Sequence, residues 1–132
     1  MIRIYKLEKI QRREARWVLK DYNRYNSVTS MLHQLSWPKL QIRRKISRLL
    51  TFYKILHCQL PISIPPYYLP MTRDTRQYHQ HHFILPTVSK TSYLNGFFSR
   101  TAEEWNSLPQ FIIDINDFNF FSSELSNYCI MY

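Results

Sequence analysis

The stretch that decides the fold is residues 38–56, PKLQIRRKISRLLTFYKIL. Ile42, Ile46, Leu49, Leu50, Tyr53 and Leu56 recur at i, i+4, i+7, i+8, i+11 and i+14. That period gathers apolar side chains on one stripe of an α-helix. Arg44, Lys45 and Arg48 lie away from the stripe, and Arg43 and Lys54 border it. Pro38 suits the first turn, where its missing N–H costs nothing. An isolated helix of this length is marginal in water, so the stripe predicts partners to bury it.

Two such partners precede it. From about Tyr5 to Lys20, Leu7, Ile10, Trp17 and Val18 share one helical face with Ala15 at its edge, while Lys9, Arg12, Arg13, Arg16 and Lys20 share the opposite face. Ser27 reads as the N-cap of a short helix carrying Met31, Leu32 and Leu35, which must stop before Pro38. Short connections predict a compact antiparallel arrangement of the three helices with their apolar stripes turned inward.

Beyond the third helix, Pro61, Pro65, Pro66 and Pro70 exclude regular helix and predict an extended strap offering Tyr67, Tyr68 and Leu69 for docking. His82–Leu85 and Ser92–Phe98 read as two short strands paired as a ribbon. Thr101 with Glu104 three residues on reads as a capping box, starting a helix with Trp105 and Leu108 that ends near Pro109. A last helix runs from Asp117, with Phe118, Phe121, Leu125 and Tyr128 on one stripe. A single glycine, Gly96, makes turns needing positive φ scarce. The expected fold is mainly α. A basic bundle of three helices spans residues 1–58, a proline-rich strap and polar loop 59–80, and an aromatic segment with a short β-ribbon and two short helices 81–132.

Charge divides the chain as sharply as patterning does. Residues 1–60 hold fourteen Lys/Arg against three acids, and residues 61–132 hold four against six. A strongly basic part joined to a near-neutral one predicts that the first faces a polyanion and the second faces protein. Lys9, Arg12, Arg13, Arg16, Lys20, Arg44 and Arg48 are the candidate phosphate contacts, with arginine able to hold a phosphate bidentately. Tyr22 and Tyr25 are candidate base-stacking residues.

Catalytic chemistry finds little support. There is no GxSxG elbow, one glycine cannot build a phosphate-cradling loop, and no adjacent aspartates suggest a two-metal centre. His79, His81 and His82 with Cys58 invite a zinc reading, but adjacent His81 and His82 on a strand would point to opposite faces. Neither a metal nor a cofactor is expected. Cys58 and Cys129 lie far apart and read as free thiols, and no run approaches the roughly 20 apolar residues of a membrane span. These features predict nucleus or cytoplasm and no membrane.

The ordered motifs carry a family resemblance. Leu7–Val18 (LEKIQRREARWV) resembles the LEKVQRRAARFV-like helix near the C-terminus of non-LTR retrotransposon reverse transcriptases. Ser27–Leu32 (SVTSML), Leu35–Leu40 (LSWPKL) and the pair Arg43 and Arg44 are similar to that family's SVTxML…LxWxxLxxRR block. Phe97–Thr101 (FFSRT) and Trp105–Pro109 (WNSLP) are similar to its SFFPRTxxxWNxLP signature. Departures from the pattern are Ser99 in place of proline, Gly96 in place of serine, and the acidic Glu103 and Glu104.

The resemblance implies the region after the polymerase and thumb of a jockey-like, LINE-type endonuclease–reverse transcriptase. The catalytic aspartates of such a polyprotein are not among these residues, so it implies a non-catalytic role in holding template RNA or target DNA. Two other readings compete: a protein-interaction fragment that packs on a polymerase body or on itself, and a decayed reading frame with no selected function.

Overall fold

The computed structural model describes residues 2–70, 81–87 and 89–131. The chain is mainly helical, with α1 (Ile2–Val18), α2 (Val28–Gln34), α3 (Leu40–Leu56), α4 (Thr91–Leu94), α5 (Phe97–Asn106), α6 (Gln110–Ile113) and α7 (Phe118–Met131). The described strands, β1 (Leu69–Pro70) and β2 (Phe83–Ile84), are two residues each. Two compact units divide the chain, Met1–Arg44 and Lys45–Tyr132, and the division falls inside α3 rather than after residue 58.

The first unit is built on the contact of α1 with α2. Its core is Ala15, Val28, Met31 and Leu32, with Leu19, Leu35 and Trp37 packed against it. Ser27 caps α2, its side chain accepting from the Ser30 amide. The amide of Gln41, in the first turn of α3, donates to the Glu8 carboxylate at 3.0 Å. A helix N-terminus leaves such amides without an internal partner and favours negative charge, so Glu8 satisfies both demands. Gln11 Nε2 donates to the Pro38 carbonyl at 3.0 Å and ties the middle of α1 to the start of α3.

The inward turn of the apolar stripe of α1 does not occur. Leu7, Ile10, Trp17 and Val18 are exposed, whereas Gln11 and Ala15 are buried. The inward face is instead the one that carries Ala15, packed on α2, and Gln11, bonded to Pro38. Ala15, the smallest side chain in α1, is wholly buried at 0% exposure.

Helices α1, α2 and α3 all end in the same motif. Lys20, Ser36 and Cys58 take φ of 53°, 52° and 53°. The amides of Asp21, Trp37 and Gln59 reach back to the carbonyls of Arg16, Leu32 and Lys54 at 3.0, 2.8 and 2.8 Å. This is the Schellman arrangement, which usually places glycine at the left-handed position. The expected scarcity of positive-φ turns is therefore corrected: three non-glycine residues make them. Gly96 instead stands at φ −64° before α5, where an added Cβ would lie 3.0 Å from the Tyr93 carbonyl oxygen.

The second unit packs around α3, and here too the buried arc is rotated from the expected stripe. Leu49, Phe52, Tyr53 and Ile55 are buried, while Ile46, Leu50 and Leu56 are half-buried. Phe52 meets Trp105 and Phe83 edge-on at 5.4 and 5.7 Å, and Tyr53 stacks on Phe121 at 4.2 Å. Tyr53 also donates its hydroxyl to the Ile115 carbonyl at 3.1 Å. Phe121, Leu125 and Cys129 form the buried stripe of α7, with Phe118 and Tyr128 at its margins. Asp117 caps α7 by accepting from the Phe120 amide at 2.8 Å.

Two local expectations are corrected. The ribbon pairs β2 with β1 in antiparallel register, Leu69 opposite Ile84 and Pro70 opposite Phe83, and not with residues 92–98, which are largely helical. Asn106 binds β2 as well: its side chain accepts from the Phe83 amide and donates to the Phe83 carbonyl, both at 2.8 Å, as a neighbouring strand would. Nor does Thr101 cap a helix; it lies inside α5, fully buried, because the helix starts four residues earlier at Phe97. Of the strap, Tyr68 is buried, with its hydroxyl 2.7 Å from Ser99 Oγ, whereas Tyr67 and Leu69 stay exposed. The polar loop ending at Gln80, with His79, lies outside the described residues.

Candidate nucleic-acid interface

Helical periodicity fixes which side chains share the exposed surface of α1. Around its circumference Arg12, Tyr5, Arg16, Lys9, Arg13 and Lys6 follow one another on one arc. Ile10, Trp17, Leu7 and Val18 continue the exposed surface beyond it. Lys9, Arg12 and Arg13 point to solvent, and among the described residues Lys9 and Arg12 form no ion pair. Arg13 has only a loose contact with Glu14 at 3.9 Å, a geometry that contributes little at an exposed site.

Arg16 is placed differently. Its guanidinium donates to the carbonyls of Asn23 and Asn26 at 2.7 and 3.4 Å and so braces the loop after α1. Asp21 completes the brace, one carboxylate oxygen accepting from the Asn23 amide at 3.1 Å and the other from Asn26 Nδ2 at 2.6 Å. The Asn26 bond first, then the Asn23 amide and the Arg16 charge, hold the Asp21 carboxyl below its usual range. Lys20 is exposed at the left-handed turn that ends α1. Tyr22 and Tyr25 stand out from the braced loop, Tyr25 at 93% exposure.

The other two candidate arginines lie on α3. Arg44 is half-buried at the end of the first unit. Arg48 belongs to the second unit and is engaged with Glu104: its Nε donates to Oε2 at 3.0 Å and its Nη2 to Oε1, with the two side chains only 19% and 17% exposed. A bidentate pair sheltered to that degree withdraws Arg48 from phosphate contact. The structure thus brings Lys9, Arg12 and Arg13 together, turns Arg16 to the support of Tyr22 and Tyr25, and removes Arg48.

Lys6, Arg24 and Trp17 are exposed as well and are not among the candidate contacts read from the sequence. Trp17 stands 66% exposed although its pattern assigns it to the core side. The signal that could have placed it is Ala15, because a small residue in a helix of bulky ones marks where a neighbour approaches.

Carboxylates do little to offset the basic field. The first unit carries eleven Lys/Arg against three acids, and two of those acids, Glu8 and Asp21, are committed to backbone amides. No group of three or more His, Cys, Asp or Glu among the described residues could hold a metal ion. No helix among them is long and apolar enough to cross a membrane. Compared with protein families, with curated proteins and with solved structures, the chain matches none.

Proposed function

We propose that this chain is a non-catalytic module of nucleus or cytoplasm that holds a nucleic acid by its phosphates, through the basic arc of α1. The resemblance to the C-terminal region of non-LTR reverse transcriptases names the polymer as template RNA or target DNA. One observation carries the reading: Lys9, Arg12 and Arg13 are exposed side by side in a 44-residue unit whose carboxylates are largely engaged elsewhere. Each phosphate contact releases condensed counterions, so log affinity falls linearly with log salt by about 0.7–0.9 per contact.

Fluorescence anisotropy of the full chain with labelled RNA and DNA across a salt series tests this. Replacing Lys9, Arg12 and Arg13 by glutamate flattens the slope by about 2 to 3 while far-UV circular dichroism stays unchanged. An unaltered slope in that variant removes α1 from the site.

A second reading is favoured by the apolar part of the same helix, where Leu7, Ile10, Trp17 and Val18 are exposed together. Such a patch suits a protein partner, either a polymerase body or a second copy of the chain. Sedimentation velocity separates the two readings: self-association that masks α1 supports the second, and a monomer with a steep salt slope supports the first.

A further inference from the structure

The first unit exposes four large aromatic side chains, and all lie on α1 or the loop directly after it: Tyr5, Trp17, Tyr22 and Tyr25. Their setting is cationic. Tyr5 falls between Arg12 and Arg16 on the helical arc, and Trp17 follows Arg13 by one i, i+4 step, a spacing that makes neighbours on a helix surface. Tyr22 and Tyr25 are carried by a loop held in shape by Asp21, Asn23 and Arg16, the Tyr25 amide donating to Asn23 Oδ1 at 3.0 Å. A tryptophan 66% exposed two residues from the fully buried Ala15 contributes nothing to that core.

We infer that the ligand of this face is a single strand, RNA or DNA, whose bases stack on Trp17, Tyr22 and Tyr25 while its phosphates meet Lys9, Arg12 and Arg13. This rests on the nucleic-acid reading above and narrows it. Basic side chains alone serve duplexes and single strands alike. Exposed aromatic faces discriminate, because the faces of bases inside a duplex are covered by their neighbours and those of a single strand are not. The alternation of cation and ring along α1 and its loop is the arrangement used to track an unpaired strand without reading its sequence.

The test uses the full chain with labelled oligo-uridine, oligo-thymidine and a duplex DNA of equal length, comparing the parent with Trp17→Ala, Trp17→Phe and Tyr22→Ala/Tyr25→Ala. Single strands bind more tightly than the duplex. Trp17→Ala weakens single-strand binding by about fivefold or more, leaves the salt slope and the circular dichroism unchanged, and leaves duplex affinity as it was. Trp17→Phe restores most of the loss because its ring still offers a stacking face; a structural role for Trp17 would instead lower duplex affinity and alter the circular dichroism of Trp17→Ala. A steep salt slope with no effect of Trp17→Ala overturns stacking and leaves the phosphate reading standing. Absence of binding to every oligonucleotide at low salt overturns both. If the chain then binds phosphatidylserine vesicles with a blue shift of tryptophan emission, the aromatic face belongs to a lipid surface instead.

Discussion

Arg48 was nominated for phosphate contact, and the structure assigns it to the fold. Replacing it by methionine tests that assignment, since methionine keeps much of the length and removes both hydrogen bonds to Glu104. Exposed ion pairs contribute about 0–1 kcal/mol, and removing one partner of a fully buried pair costs about 3–5 kcal/mol. At roughly one-fifth exposure, with Arg100 Nε still 3.6 Å from the Glu104 carboxylate, the expected loss falls between these limits at about 2–3 kcal/mol. Urea unfolding followed by circular dichroism reads it as a midpoint lowered by about 1–2 M at unchanged slope. The double variant Arg48→Met/Glu104→Leu recovers much of the loss because no uncompensated carboxylate remains, giving a coupling energy of about 2 kcal/mol. Nucleic-acid affinity of the folded Arg48→Met chain equals the parent's. A loss under about 0.5 kcal/mol, or a fall in affinity without a fall in stability, refutes the assignment.

Two further outcomes follow from the loop and the helix ends. Asp21 has a folded pKa below the ordinary aspartate value, so its contribution to the loop is fully present above that ordinary value and is lost as pH falls through the lowered folded pKa. The amide resonances of Asn23 and Tyr25 therefore titrate with a midpoint below the ordinary aspartate value, and Asp21→Asn abolishes that transition; a midpoint at or above that ordinary value contradicts the bracing. Ser36→Gly relieves a left-handed non-glycine residue and raises stability by about 1 kcal/mol in urea unfolding. An unchanged or lowered midpoint shows that Ser36 carries no strain.

Several local signals were legible in the sequence, although the Thr101–Glu104 capping box was not among them. Ser27 caps α2, Asp117 caps α7, Pro109 separates α5 from α6, and the run from Leu40 to Leu56 is helical throughout. Each rests on a residue whose backbone preference acts within a few positions. Much of what stayed hidden depends on partners distant in the chain. The face that α1 buries is the one Ala15 and Gln11 present to α2 and to Pro38. The backbone of β2 is held by Asn106, 23 positions beyond Phe83, and the role of Arg48 is set by Glu104, 56 positions away. The site divided in the same way: Lys9, Arg12 and Arg13 were visible as a charged face, whereas Arg16 was not visible as a brace, because its carbonyl partners exist only once the loop has folded back.

Asn106 has one more consequence. A strand edge with open amides and carbonyls is a template on which another chain can add. With both polar backbone groups of Phe83 already satisfied by one carboxamide, the ribbon offers no foothold at that residue for intermolecular growth. The side chain that completes the sheet also shields it from aggregation.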